Sequence, residues 1–96
     1  MSSIRLVILP AAHQDWSDIL QYTEEQWGLR QRDAYDDLID ETLRRIRSYP
    51  DIGHRVDGLP DSHREFPMEH HAVRYLRESN RVVILRIVSH RSRPTR

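Results

Sequence analysis

Apolar positions follow two rhythms along this chain: a three–four spacing through residues 11–49, and short, nearly continuous runs before and after it. Ser3 to Leu9 is mostly apolar and predicts a short strand, stopped by Pro10, which also suits the first position of a helix. Ala12, Trp16, Ile19, Leu20, Thr23 and Trp27 then recur at helical spacing, with Asp15, Asp18, Glu24 and Glu25 mainly on the other face. Gly28 is placed for a left-handed cap at the end of this helix. A second helix carries Tyr35, Leu38, Ile39, Thr42, Leu43, Ile46 and Tyr49 on one stripe until Pro50 stops it. Only a few residues separate the two, which predicts an antiparallel helical hairpin.

The remainder reads as strands. Asp51 to His63 contains Gly53, Gly58 and Pro60 and predicts a loop. Arg64–Met68 is a strand candidate. Beyond it, His71–Tyr75 and Val82–Val88 flank the polar turn Glu78-Ser79-Asn80 as the arms of a β-hairpin. Val82–Val88 is apolar except for Arg86, so it predicts a central strand buried at least partly on both faces. Arg86 must then either snorkel to the sheet rim or pair with something. The whole is an α+β arrangement, β-α-α-β-β-β, an antiparallel sheet with the helical hairpin packed on one face.

Composition narrows the classes. At 96 residues, 31% charged and 38% hydrophobic, the chain has the make-up of one small soluble domain spanning residues 1–96. No apolar run approaches the ~20 residues that cross a bilayer, and nothing resembles a signal peptide, which predicts a cytoplasmic protein without a membrane partner. The absence of Cys excludes a disulfide framework and thiolate metal sites. The net charge is zero, yet residues 1–63 hold 7 Arg against 12 acids, and residues 64–96 hold 8 Arg against 3 acids. A basic C-terminal face can thus meet an anionic partner, or the two halves can neutralise each other within the fold. Asp40–Arg44 and Glu41–Arg45 stand four apart with the acid first, as an exposed helix face favours.

The order of elements and the residues they carry resemble the RelE/ParE toxin superfamily of bacterial type II toxin–antitoxin modules, most closely its ParE side. Leu9-Pro10-Ala11 opens the first helix, with Asp18-Ile19 and Tyr22-Thr23 inside it. Trp27-Gly28 is followed by Gln31, Tyr35, Leu38 and Leu43, and Tyr49-Pro50 leads to Gly53. His71 and Tyr75 fall as in the family's His-x-(apolar)-x-Tyr strand. Ile84-Leu85-Arg86-Ile87-Val88 is similar to its final strand, with His90 and Arg93-Pro94 after it. The resemblance implies a small toxin neutralised by the C-terminal segment of a cognate antitoxin, ParD-like or other, in a hetero-oligomer. It also implies one of two targets: DNA gyrase for ParE-type members, or messenger RNA on the ribosome for RelE-type members.

Each target asks for different chemistry. Metal-independent RNA cleavage needs a base, an acid and cations around the phosphate, and Arg64, His71, Tyr75 and His90 are the residues that can supply them. That set is partial, because the chain has no Lys and no aromatic residue after Tyr75. Gyrase inhibition needs only a docking surface. The candidates for partner binding are Trp27 at the hairpin apex, Arg74 and Arg86 on the sheet, and Arg91 and Arg93 in the tail. Trp27 is read first as a packing residue closing the turn, and Trp16 as core. His71 and Tyr75 share a sheet face with Val73 and either pack under the helices or face a partner. His63, His70, His71 and His90 lack metal-ligand spacing, so no metal and no cofactor is expected. A third reading, a non-toxic subunit that regulates its operon with the antitoxin, needs neither surface. The expectation carried forward is gyrase inhibition without catalysis.

Overall fold

The computed structural model describes residues 3–89. The elements follow the order β1 (Arg5–Ile8), α1 (Pro10–Trp27), α2 (Leu29–Ser48), β2 (His54–Arg55), β3 (His63–Met68), β4 (His71–Arg77) and β5 (Arg81–Ser89). The predicted β-α-α-β-β-β order stands, with β2 added inside the segment read as a loop. Two residues are too few to show a periodicity, and only pairing with Arg64 and Glu65 makes them a strand.

Pro10 begins α1, where its missing N–H has no intrahelical partner to lose. Gly28 joins the helices at φ 95, a conformation that side chains with a Cβ rarely adopt. Its N–H donates to Glu24 O (2.8 Å), and its own carbonyl accepts from Arg32 N (3.1 Å), so one residue ends α1 and begins α2.

The sheet order is β1-β5-β4-β3-β2. Neighbours are antiparallel except for β1 and β5, which run parallel with Leu6 opposite Val82 and Ile8 opposite Ile84. The sheet is thus antiparallel as expected except at this one pairing. β1 and β5 are far apart in sequence, and the intervening hairpins set the sense of β5. Val82, Val83 and Ile84 are all buried, so consecutive residues of β5 are covered on both faces, as their unbroken apolar run predicts.

Both helices pack on one face of the sheet. Ile39, Leu43 and Ile46 of α2 and Ala12 of α1 meet Val73, Tyr75, Val82, Ile84 and Ile87 in a single core. Each large aliphatic side chain buried there stabilises by about 1.5–3 kcal/mol. Trp16 packs against this core and is half-buried, its Nε1–H donating to Asp36 Oδ1 at 2.9 Å. Trp27 does not pack: it is 72% exposed at the hairpin apex. The turn closes through the backbone of Gly28, which leaves the indole without a packing task.

Candidate functional site

Of the nuclease set, Tyr75 and His71 are covered by the helices and Arg64 holds the loop after α2. Tyr75, Val73 and His71 point beneath the helices. Tyr75 is fully buried; its hydroxyl donates to Pro50 O (2.7 Å) and accepts from Gly53 N–H (2.9 Å). Burial raises the phenol's pKa, partly opposed by the Gly53 N–H. With its single proton committed to a carbonyl, this tyrosine clasps the segment leaving α2 onto the sheet. Gly53 permits the close approach, since a Cβ there would stand 2.7 Å from the Tyr75 oxygen.

His71 is half-buried under α2, with Nδ1 2.7 Å from the Tyr35 hydroxyl and its ring edge-on to the phenol at 5.4 Å. Burial, with the charge of Glu69 adding, pushes the Tyr35 phenol up to about 12 against the opposing His70 N–H. Both phenols therefore remain protonated at neutral pH. Arg64 donates to Gly53 O (3.0 Å) and Asp61 O (3.3 Å) and lies 3.6 Å from Asp51, holding the loop that Tyr75 clasps. His90, Arg91 and Arg93 lie outside the described residues.

The sheet arginines proposed for partners are also engaged. Arg86 reaches Asp15 of α1 through two hydrogen bonds of 2.7 and 2.9 Å, and Asp15 Oδ2 accepts the Ile87 N–H as well (2.9 Å). β1 ends at Ile8, so β5 has no strand neighbour on that side beyond Ile84, and a side-chain carboxylate takes the strand's place. Burial raises the Asp15 carboxyl, but the bonds from Arg86 and Ile87 outweigh it and hold its pKa below the ordinary value. Of the two fates expected for Arg86, pairing is the one observed. Arg74 lies 3.8 Å from the buried Glu65.

Among the described residues, two surfaces suit docking. One is the hairpin apex, where Tyr22, Trp27 and Leu29 are all more than half exposed. The other escaped the sequence reading. Along the outer edge of β1 runs a groove of about 320 Å³, lined by Leu6, Ile8, Trp16, Leu43 and the polar rim of Asp40, Arg44 and Arg47. A second hollow of about 360 Å³, lined by Ser3, Ile4, Arg47 and Ser48, continues it. Arg5 N donates to Asn80 O, just before β5, and Leu9 N to Ile84 O of β5, each at 3.1 Å, which turns the backbone groups of Leu6 and Ile8 outward, to an edge that no described strand covers. Such an edge invites an added strand. Among the described residues no cluster of metal-binding side chains occurs, and no helix is long and apolar enough to cross a membrane.

A hairpin of two helices packs on one face of a mostly antiparallel five-stranded sheet. The family model for the ParE toxin of the type II toxin–antitoxin system, parDE, matches residues 6–94, and the chain belongs to that family. It is 32% identical over 77 residues to Toxin ParE1 of Caulobacter vibrioides, covering 80% of this chain and 79% of that one. The fold is shared with a chain of the chromosomal ParDE system of P. aeruginosa (TM-score 0.76, 16% identity, 90% of this chain and 95% of that one). A copper-bound mutant toxin of Helicobacter pylori has it too (TM-score 0.66, 18% identity, 93% and 97%).

Proposed function

We propose that this ParE-family toxin acts in the cytoplasm by inhibiting DNA gyrase, without catalysis of its own, and is neutralised by a cognate antitoxin of the ParD type. The observation that carries the reading is the state of Tyr75: fully buried, its proton held by Pro50 O, it has nothing to offer an RNA phosphate. His71 and Arg64 are likewise tied to Tyr35 and to the loop after α2, which leaves the described part of the nuclease set building structure. The exposed aromatic apex supplies what an inhibitor needs, a surface rich in the residue types that dominate interface energetics. The groove beside β1 supports the second half of the proposal. It offers an apolar floor, a free strand edge and arginines on its rim, features that suit an acidic antitoxin segment added along the edge.

Supercoiling by purified gyrase decides between the targets. Inhibition that grows with added toxin is the expected result, and adding the antitoxin restores supercoiling. Full gyrase activity at excess toxin, together with cuts in translated messages mapped by primer extension, would move the assignment to the ribosome. The regulatory reading predicts neither effect and no arrest of growth on expression.

A further inference from the structure

We propose that Arg47 is the residue of this toxin that selects its antitoxin, by pairing with a carboxylate of the segment laid along β1. The inference rests on the docking reading above and adds to it a single determinant of specificity. Nine of the described arginines are held by a described acid: Arg32, Arg44, Arg45, Arg55, Arg64, Arg74, Arg77, Arg81 and Arg86 each lie within 4 Å of one. Arg5, Arg30 and Arg47 make no such pair among the described residues. Arg30 stands at the hairpin apex, and Arg5 is an exposed residue of the edge strand. Arg47 alone of the three lines both hollows beside β1 and so stands where they join.

The helix itself explains why Arg47 is available. Arg44 and Arg45 have acids four residues earlier, Asp40 and Glu41, whereas the residue four before Arg47 is the core residue Leu43. Arg47 is thus left on the groove rim with no acid within 4 Å among the described residues, the rim's own acid, Asp40, being held by Arg44. A docked segment placing apolar side chains on Leu6, Ile8, Trp16 and Leu43 would bring alternate residues toward the rim. An acid there gains a planar guanidinium on the groove rim that can bind it bidentately. A segment with Lys or Arg at that position meets like charge instead, which is how one cation rejects wrong partners.

The test uses the full-length toxin co-expressed and co-purified with the product of the adjacent reading frame. Two measurements are made: hydrogen exchange at the Leu6 and Ile8 amides, and affinity as a function of salt. The expected result is slowed exchange at both amides in the complex. Arg47→Glu should weaken binding by about tenfold or more, Arg47→Lys should retain most of it, and Arg44→Ala should change it little because Arg44 is already engaged by Asp40. The wild-type affinity should also fall more steeply with salt than that of Arg47→Gln. Arg47 is exposed on α2, so the variants keep the wild-type melting temperature, which separates selection from folding. Protected amides with unchanged affinity of Arg47→Glu would overturn the inference and leave the docking reading intact. Unprotected amides, or no complex at all, would overturn both.

Discussion

The two halves of the chain exchange roles on folding. The C-terminal half is rich in arginine and looks like the partner-facing side, yet its described arginines are paired with acids and its one tyrosine, Tyr75, is buried. Arg86 is fastened to Asp15, Arg77 and Arg64 to Asp51, and Tyr75 to Pro50 and Gly53. The N-terminal half is rich in acid and looks self-sufficient, yet its helical hairpin exposes Trp27, Tyr22 and Leu29 and leaves Arg47 without an acid among the described residues. Charge balance per segment therefore misreads availability. What decides it is whether an opposite charge can reach a side chain once the elements pack, and here Asp15 of α1 and Asp51 just after α2 reach the strand arginines.

The sharpest way to break this contrast is at Tyr75. Tyr75→Phe keeps the ring in place and removes the oxygen, leaving the Gly53 N–H and Pro50 O without their partner in a water-poor site. A loss of about 2 kcal/mol follows from orphaning such groups, and roughly 4–8 °C of melting temperature accompanies each kcal/mol in a chain this small. Gly53→Ala should do comparable damage from the other side, because its methyl group would overlap the Tyr75 hydroxyl. If Tyr75→Phe melted like wild type but abolished toxicity, the hydroxyl would be functional, and the contrast between tied-down β4 and the exposed apex would fail.

A smaller effect is expected at the Asp15–Arg86 bridge, and it carries a pH signature. Folding lowers the Asp15 carboxyl below its ordinary value, so its contribution is present in full above that value and is lost as pH falls through the lowered one. Urea unfolding at neutral pH and again below about pH 4 should show a drop in stability that shrinks in Asp15→Asn. It will not vanish, because Asp51, held low by its bond from Arg77, titrates in the same direction. Arg86→Ala should lower stability by less than Tyr75→Phe and leave antitoxin affinity nearly unchanged. Weakened antitoxin binding with unaltered stability would return Arg86 to the partner-facing set.

The fold was legible where the pattern is local. Both helices show in the three–four spacing from Ala12 to Tyr49, and Pro10, Gly28 and Pro50 mark their limits within a residue or two. β3, β4 and β5 show in apolar runs separated by turn residues. The parallel pairing of β1 with β5 was not legible, because register between segments more than seventy residues apart leaves no mark in either. The same distance hid Asp15 as the partner of Arg86. Placing His71 and Tyr75 on one face with Val73 follows from alternation, but Tyr35 and Gly53 come from elsewhere in the chain. The groove is a property of three elements at once. Its one local trace is Arg47, the basic residue of α2's last turns with a leucine where its neighbours have acids.

Trp27 offers the last and smallest stability change, and for that reason the cleanest separation of folding from function. With 72% of its surface exposed and Gly28 closing the turn through its backbone, the indole contributes little to the folded state. Trp27→Ala should therefore shift stability by no more than about 0.5 kcal/mol, the range of ordinary surface changes. If the apex meets gyrase, the same substitution removes a large aromatic anchor, and inhibition of supercoiling should fall by about tenfold or more while antitoxin binding at the distant β1 edge is retained. The apex and the groove lie at opposite ends of α2, whose 20 residues span about 30 Å, so a single side chain cannot serve both. A Trp27→Ala toxin that still inhibits gyrase at wild-type concentrations would assign the apex no part in target recognition and leave the exposed aromatic without a partner.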